Sequence, residues 1–227
     1  MLILAFDTSS KTVSVAILQD DIVLYETVIN VSLNHSEVLL PAIDQACIQT
    51  RIKIAEIDLF ACTIGPGSFT GLRIGASTMK GFVLAAKKPA VGVSSLAAVA
   101  LNADKCSKII HSIMDAGRGQ VYSAFFKYKE NGLLEQIGKE KVMKPSEIKY
   151  NNDVVFVGDG AVRYADIISD KKNNIILASR QYCRASSVGL LGKEKFDRKE
   201  LLDTDKFVPL YIRSVDADTN KTLFKNQ

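Results

Sequence analysis

The chain has 227 residues, of which 47% are hydrophobic and 24% are charged, so it can bury a core and is not of a disordered class. Its 29 basic and 25 acidic residues give a net charge of +4, which is too small and too dispersed to mark a nucleic-acid-binding protein. No apolar run approaches the ~18 residues of a membrane span and none resembles a secretory signal, so we expect a cytoplasmic protein with reduced cysteines.

The first half of the chain predicts a meander of three strands, followed by alternating helices and strands. Apolar and β-branched runs predict strands at residues 2–6, 12–18, 22–29, 58–64 and 89–93. Apolar residues at three- and four-residue steps predict helices at residues 36–50, 69–86 and 94–101. Ser36 suits the N-cap of the first helix, and Pro41 should lie in its first turns or kink it.

The second half repeats this plan without repeating the residues, which favours an α/β fold of two lobes. Strands are predicted at residues 109–114, 120–127, 138–143 and 154–157, and a helical stretch continues through Ile168. We place the boundary at residues 102–105, which divides the chain into segments 1–103 and 104–227. Residues after Asp216 lack an apolar pattern, and we expect a frayed tail there.

Two strand ends and one strand-to-helix turn carry residues typical of the phosphate-binding cleft of actin-like ATPases. In that fold such turns cradle phosphates, and their carboxylates hold magnesium-bound water. Each turn alone fits an ordinary hairpin equally well, because Asp and Gly are favoured in turns. Their order favours the fold without establishing nucleotide binding. The residues concerned are Asp7, Thr8, Ser9, Asp115, Gly117, Gly158 and Gly160.

The glycine-rich segment 65–75 opens the second predicted helix. It lacks the lysine and the glycine spacing of a P-loop, so a tight strand-to-helix turn is favoured over a phosphate site. Within the helix, Gly71, Gly75, Thr78 and Phe82 form a stripe of mostly small residues. Because each helical glycine costs about 1 kcal/mol relative to alanine, we expect another helix to approach closely there, from this chain or from a second one.

The histidines predict neither a metal pair nor a catalytic triad. A zinc pair on one helix needs histidines four residues apart, but the fourth residue after His35 is Leu39. His111 is distant in sequence, and the sequence identifies no Ser-His-Asp or Cys-His arrangement around it. The cysteines are not clustered either, so we expect no stoichiometric metal.

Several segments resemble the TsaB (YeaZ) family. The residues that carry the resemblance are 3–9, His35-Ser36-Glu37, Leu39-Leu40-Pro41, above all 65–75, and later Asp115-Ala116, Gly119, Val121-Tyr122 and 209–213. The match is specific in the first half and looser in the second. In the family an arginine usually follows Asp-Ala and a glutamate usually precedes Val-Tyr, whereas this chain has Gly117 and Gln120 at those positions.

The resemblance implies an actin-like ATPase (ASKHA, ribonuclease H-like) fold and a non-catalytic scaffold subunit. Its partners would be the ATPase TsaE and the catalytic paralogue TsaD, which transfers a threonylcarbamoyl group to adenosine beside the tRNA anticodon. The chain would contact tRNA through the complex. The first two helices would form the interface with the paralogue. When the chain is alone, we expect it to form a homodimer. The interface residues would be His35, Ser36, Leu39, Leu40, Ile43, Cys47, Gly71, Gly75, Thr78, Met79 and Phe82.

Two enzyme alternatives stay open beside the scaffold, together with a homodimeric module that has a binding role of its own. An actin-fold ATP-dependent enzyme would need an intact magnesium site and a catalytic base. A glycoprotease-like peptidase would need a metal pair or a complete triad. We expect no cofactor beyond weak binding of ATP or ADP, because Ser9 replaces the glycine usual in the first phosphate turn.

Overall fold

The computed structural model describes residues 1–30, 34–103, 105, 108–149, 153–168 and 178–203. The strands within these residues are β1 (Leu2–Asp7), β2 (Thr12–Gln19), β3 (Ile22–Asn30), β4 (Leu59–Gly65), β5 (Ala90–Ser94), β6 (Ile109–Gly117), β7 (Gln120–Tyr128), β8 (Leu134–Met143) and β9 (Val154–Val157). The helices are α1 (His35–Thr50), α2 (Phe69–Ala86), α3 (Ser95–Ala100), α4 (Asp159–Arg163), α5 (Ala165–Ile168) and α6 (Ala185–Asp197). The predicted tail and the family match at 209–213 lie outside the described residues.

Strands β1 to β5 form the first sheet, in the order β3-β2-β1-β4-β5. β1 pairs antiparallel with β2 and β2 with β3, which confirms the predicted opening meander. β1, β4 and β5 run parallel, because a helix crosses over between β3 and β4 and another between β4 and β5. Their carboxyl ends therefore meet at one edge of the sheet, where Asp7, Thr63 and Ser94 lie.

The second sheet repeats this arrangement in the order β8-β7-β6-β9. β6 takes the place of β1, since it pairs antiparallel with β7 and parallel with β9. Asp7 ends β1, and Asp115 lies near the end of β6. The predicted plan of strand, aspartate turn and strand is therefore confirmed in both halves, and so is the α/β class.

Helices cover both faces of the first sheet, with α1 and α2 on one face and α3 and α6 on the other. α3 also contacts β6 and β7, so it lies between the two sheets. One apolar cluster joins the sheets through this layer and includes Ala5, Val91, Leu96, Ile110 and Phe126, each at most 1% exposed. No helix among the described residues is both long and apolar enough to cross a bilayer.

Helix α6 is the element that the sequence patterns do not predict. A Cβ added at Gly189 would lie 2.5 Å from Leu18 Cδ1, and one added at Gly192 would lie 2.8 Å from Ala61 Cβ. The two glycines therefore let α6 lie close against the first sheet. The division of the chain at residue 103 stays a prediction, but this helix of the second segment packs on the sheet built by the first.

The start of α1 differs from the prediction. Asn34 is the N-cap, and Ser36 is an exposed residue of the first turn instead. The Glu37 amide donates to the Asn34 carbonyl at 3.1 Å, which closes the first turn two residues early. His35 then anchors this end, because its Nε2 lies 2.7 Å from the Ser10 carbonyl oxygen, to which it donates.

Two predicted elements of the second half are also wrong in detail. β8 begins at Leu134 and not at Gly138, because Gly138, with a φ of +75°, sits in an irregularity within the strand. The helical stretch predicted through Ile168 is two short helices, α4 and α5. They are separated at Tyr164, whose φ of −110° and ψ of 25° are not helical.

His111 lies inside the second sheet and is 1% exposed. Its ring stacks on that of Phe125 with the centroids 3.9 Å apart, and it makes a tilted contact with Phe156. Its Nε2 lies 2.6 Å from Ser123 Oγ. Burial lowers the pKa of His111 to about 4, because the apolar surroundings disfavour the charged ring.

Acidification should therefore destabilise the fold through His111. Histidine in an unfolded chain titrates near pH 6.5, so between about pH 6.5 and pH 4 the unfolded state binds a proton that the folded state does not. Over this range we expect the free energy of unfolding of the wild type to fall by about 3 kcal/mol relative to that of His111→Phe. Denaturant titrations at about pH 7.5 and about pH 4 measure the difference, with His35→Gln as control. Equal pH slopes in wild type and His111→Phe would contradict it.

Candidate functional site

The carboxylate that ends β1 is closed off from solvent. Asp7 is 0% exposed, and its Oδ1 accepts hydrogen bonds from Thr63 Oγ1 at 2.6 Å and from the Ser9 amide at 3.1 Å. Burial raises the pKa of Asp7, and hydrogen bonds from Ser9, Thr63 and Cys183 offset part of that rise. Asp7 therefore has the environment of a structural carboxyl group, although its buried Oδ2 has no hydrogen-bond partner among the described residues.

The turn that follows β1 packs directly against the start of α2. Thr8 Oγ1 donates to the Gly71 carbonyl at 2.8 Å, and the Ser68 amide donates to the Ser9 carbonyl at 2.7 Å. A Cβ added at Gly71 would lie 2.0 Å from the Thr8 carbonyl oxygen, and one added at Gly75 would lie 2.6 Å from Thr8 Oγ1. Real Cβ atoms do not approach so closely, so this contact requires glycine at both positions.

This packing corrects the prediction that Gly71 and Gly75 face a helix of another chain. Both glycines are buried against the chain's own first turn, and Met79 on the same helix is also fully buried. The sequence indicated a close approach on this stripe, and that part is right. The neighbour is a backbone turn, because the end of β1 lies beside the start of α2 at the same sheet edge.

The second turn is held by an internal network around Asp115. Arg163 Nη1 donates to Asp115 Oδ2 at 2.6 Å, and the Tyr164 hydroxyl and the Gly117 amide donate to Oδ1 at 3.3 and 3.1 Å. The Asp115 amide donates in turn to Asp159 Oδ1 at 3.0 Å. A guanidinium thus neutralises the carboxylate that a magnesium ion would otherwise use. Arg163 and Tyr164 were not among the predicted site residues.

Asp159, which hydrogen-bonds the second turn, interacts electrostatically with Lys11 of the first turn, whereas a nucleotide cleft between the two turns stays a prediction. Burial raises the pKa of Asp159 to about 6, and the charge of Lys11 in the first turn partly opposes that rise. Lys11 lies in the turn between β1 and β2 and Asp159 begins α4, so this interaction joins the two halves of the chain. Neither residue was among the predicted site residues, because nothing local to either one marks an interaction between the halves.

The chain itself occupies the space beside two of the predicted cleft glycines, Gly158 and Gly160. A Cβ added at Gly158 would lie 2.2 Å from the Ile113 carbonyl oxygen, and one added at Gly160 would lie 2.8 Å from the Met114 carbonyl carbon. Both glycines let α4 pack against β6, and their part in a nucleotide cleft stays a prediction. Of the three predicted cleft glycines, only Gly117 has open space at its Cβ position.

The residues present do not fit a magnesium-bound nucleotide. One cleft carboxylate is fully buried, the other is paired with Arg163, and the nucleotide-side glycines contact backbone. Within the described part of the chain, no three His, Cys, Asp or Glu side chains group as metal ligands would.

A buried Ser–His pair is present but does not form a triad. Ser123 Oγ and His111 Nε2 are in hydrogen-bond contact, yet His111 Nδ1 has no partner in the structure as described. A catalytic histidine needs an acid at that nitrogen to fix its tautomer and stabilise its charge. Since Ser123 is also only 3% exposed, the pair is part of the core.

The outer surface of α1 and α2 carries large apolar side chains that face solvent. Leu40 is 53% exposed, Ile48 is 60% exposed and Leu84 is 82% exposed. We call this surface the α1–α2 face and define it by the exposed residues Ser36, Glu37, Leu40, Asp44, Ile48, Arg73, Ser77, Lys80 and Leu84. An apolar patch of this kind on a folded chain typically marks a site of protein interaction.

Two cavities lie along the groove between these helices. The first, of about 450 Å³, is lined by residues that include Ser36, Leu40, Arg73 and Ser77. The second, of about 570 Å³, is lined by residues that include Asp44, Ile48 and Phe82. Of the predicted interface residues, the groove brings together Ser36, Leu39, Leu40, Ile43, Cys47, Thr78 and Phe82. Leu39 and Ile43 form its buried floor, and His35 is bonded to Ser10 instead.

Comparison with known proteins gives a consistent set of likenesses. A family model described as TsaD, tRNA N6-adenosine threonylcarbamoyltransferase, matches residues 29–221. The chain is 34% identical over 226 residues to the tRNA threonylcarbamoyladenosine biosynthesis protein TsaB of Bacillus subtilis, which covers 96% of each chain. The structure of YeaZ from Pseudomonas aeruginosa superposes with a TM-score of 0.81 at 25% identity, over 92% of this chain and 99% of that one.

A more distant likeness concerns the fold alone. Component A of the (R)-2-hydroxyglutaryl-CoA dehydratase of Acidaminococcus fermentans superposes with a TM-score of 0.55 at 13% identity, over 86% of this chain and 98% of that one. Together with the two mixed sheets and their flanking helices, these superpositions confirm the predicted actin-like ATPase fold.

Three glycines of α2 provide a matched test of the contact with the first turn. Replacing an exposed helical glycine by alanine stabilises a protein by about 1 kcal/mol, and we expect this gain for Gly81→Ala, since nothing lies within 4 Å of its Cβ position. Gly75→Ala should destabilise the fold by about 1–3 kcal/mol, because its methyl group meets Thr8 Oγ1, and Gly71→Ala should cost more, because it meets backbone. Melting temperatures of the three variants measure this order. A Gly75→Ala protein as stable as Gly81→Ala would contradict the packing.

Proposed function

Because the chain belongs to the TsaB (YeaZ) family, we propose that it is a non-catalytic scaffold subunit in the biosynthesis of threonylcarbamoyladenosine on tRNA. In this role it binds the catalytic subunit TsaD, which transfers the threonylcarbamoyl group to adenosine next to the anticodon. It also recruits the ATPase TsaE in the cytoplasm and meets tRNA through the complex.

The observation that supports this proposal is the state of the two cleft carboxylates. Asp7 is 0% exposed, and Asp115 is bound by Arg163 at 2.6 Å. A catalytic member of an actin-like fold needs both groups near solvent and near a metal ion. Here both are used to hold the fold, so the chain contributes by binding and not by chemistry at this cleft.

The α1–α2 face is the surface that we assign to TsaD. It combines exposed leucine and isoleucine side chains with two adjoining cavities, which is the composition of a helix-packing interface. The helices that carry it are fixed by the first sheet below, so the face is already formed before a partner binds. A paralogue with the same fold can present a matching pair of helices.

Leu84 provides the direct test of TsaD docking. Leu84→Glu places a charge at the most exposed apolar position of the face, and we expect the affinity for the cognate TsaD to fall about tenfold or more. Its melting temperature should change little, because the side chain is 82% exposed. Ile167→Glu, on α5 and 58% exposed, is the matched control and should bind normally. Calorimetry with purified TsaD decides the outcome, and normal binding by Leu84→Glu would refute the assignment.

A second test concerns nucleotide. We expect ATP with magnesium to bind only weakly and its hydrolysis to be negligible, because Arg163 holds Asp115 and Asp7 is buried. Calorimetry with Mg-ATP and a phosphate-release assay measure both quantities. A low-micromolar dissociation constant, or an ATPase activity that disappears in a folded Asp115→Asn protein, would support the enzyme alternative instead.

A further inference from the structure

A polar cavity lies between the end of α3 and the start of α6. Its volume is about 270 Å³, and it shares no lining residue with the α1–α2 face or with the predicted cleft. The residues that line it are Leu101, Asn102, Arg180, Arg184, Ser186 and Ser187. Two of these described lining residues are basic and none is acidic. A cavity with this lining favours an anionic ligand over a cation or an apolar group.

Two buried serine hydroxyls of α6 face this cavity. Ser186 is 9% exposed and Ser187 is 7% exposed, and both residues line the cavity wall. Within the part of the chain that the structure describes, neither hydroxyl forms a hydrogen bond, and neither oxygen is closed to solvent. A buried hydroxyl normally has a hydrogen-bond partner. These two hydroxyls therefore offer donors that a ligand in the cavity would satisfy.

The backbone of the same helix offers a further donor. α6 has 13 residues, and the helix dipole favours negative charge at its N-terminal end. The Ala185 amide donates to Ser14 Oγ at 2.9 Å, and the Ser186 amide donates to Glu26 Oε1 at 2.8 Å. The Ser187 amide makes no hydrogen bond to any residue that the structure describes. It therefore adds a third donor beside the two hydroxyls.

Two guanidinium groups lie at the wall of the cavity. Arg184 Nε donates to Glu26 Oε2 at 3.0 Å, and Arg184 Nη2 is bonded to the same oxygen. This ion pair holds the Arg184 side chain in place, and Arg180 adds a second, exposed guanidinium. Guanidinium groups bind phosphate and carboxylate oxygens through their fork of N–H donors. The arginines therefore outnumber Glu26 and leave a positive charge at the cavity.

Asn102 binds the backbone acceptors that adjoin the cavity. It is 6% exposed, and its Nδ2 donates to the carbonyl oxygens of Arg180 and Tyr182 at 2.7 Å in each case. These oxygens would repel an anion if they were free. Asn102 Oδ1 has no partner among the described residues, but it is closed to solvent and so presents no surface to a ligand. The same two bonds fix residues 180–182 against the end of α3, so the donors are in place before a ligand binds.

We propose that this cavity, the α3–α6 pocket, binds a phosphate group, either as the free anion or at the end of a small phosphate ester. A phosphate presents three acceptor oxygens and carries up to two negative charges, which match the hydroxyl, amide and guanidinium donors. The volume lies just below the range of about 300–1,000 Å³ that is typical of small-molecule sites, so the ester group is short. The inference goes beyond the proposed function, because it uses neither the α1–α2 face nor the two aspartate turns.

Titration with inorganic phosphate, glycerol phosphate and acetate tests the site directly. The ionic strength is held constant with chloride, so that screening does not change. We expect a saturable shift of the Ser187 amide resonance in nitrogen–proton correlation spectra with both phosphate probes, and a smaller shift with acetate. Tighter binding of glycerol phosphate assigns the pocket to esters, and tighter binding of inorganic phosphate assigns it to the free anion. A response to phosphate that does not saturate, or an equal response to acetate, overturns the proposal.

Substitutions at Ser187 separate binding from folding. Ser187→Ala removes one donor to a charged ligand, so the dissociation constant for phosphate should rise about ten- to a hundredfold. Ser187→Asp places a carboxylate in the pocket and should abolish binding. Its melting temperature should not fall, because an acidic side chain in the first turn of a helix is favourable. A folded Ser187→Asp protein that binds phosphate as the wild type does overturns the proposal.

The arginines provide a matched pair of charge variants. Arg180→Gln should weaken phosphate binding about two- to fivefold, because it removes a positive charge from the pocket. Arg198→Gln removes the same charge at the other end of α6 and should bind phosphate as the wild type does. Equal losses in both variants would mean that only the net charge of the protein attracts phosphate, which overturns the proposal. Affinity for TsaD should be unchanged in both variants, so the proposed function is tested separately.

Discussion

The contact between the turn after β1 and the first two turns of α2 determines where the surrounding elements lie. Backbone meets backbone there, with Thr8 bonded to Gly71 and Ser68 bonded to Ser9, and glycines remove the side chains that would separate them. Such a contact allows α2 only one position on the first sheet, and α1 packs beside α2. Asp7, at the end of β1 beside this contact, is 0% exposed. The formed helical face and this buried carboxylate therefore adjoin the same packing contact.

The two halves of the chain neutralise equivalent carboxylates by different means. A carboxylate out of contact with water must lose its charge or find a partner. Asp7 is buried among hydroxyl, amide and thiol donors, and its pKa rises. Asp115 keeps an arginine beside it and retains some contact with solvent. The repeated plan of strand and aspartate turn thus fixes where the carboxylates lie, whereas their neighbours decide what they can do.

The sequence predicts most of the fold but only part of the site. Apolar periodicity and the positions of glycines predict the strands, and they predict helix α2 with both of its ends. Both signals are local in the sequence. Helix α6 escapes prediction because Ser186, Ser187, Gly189 and Gly192 give it no clear apolar period, and its closeness to the sheet depends on strands far away in sequence. The stripe at Gly71 and Gly75 predicts a close approach but not the element that makes it. Only the sheet topology shows that this element is the turn after β1. Arg163 contacts Asp115 from 48 residues away, and the charge of Lys11 acts on Asp159 from the other half of the chain, and no local pattern records such contacts.

The position of α3 between the sheets has a mechanical consequence. Two-lobed proteins that close around a ligand do so by hinge or shear motions of one lobe against the other. Here Leu96 of α3 and Val188 of α6 belong to an apolar cluster that also contains Ile110 and Phe126 of the second sheet. Separating the sheets would expose that cluster to water, at a free-energy cost of about 25 cal/mol per Å² of apolar surface. The packing of this layer therefore links the position of β6 to β9 to that of the first sheet, which also carries α1 and α2.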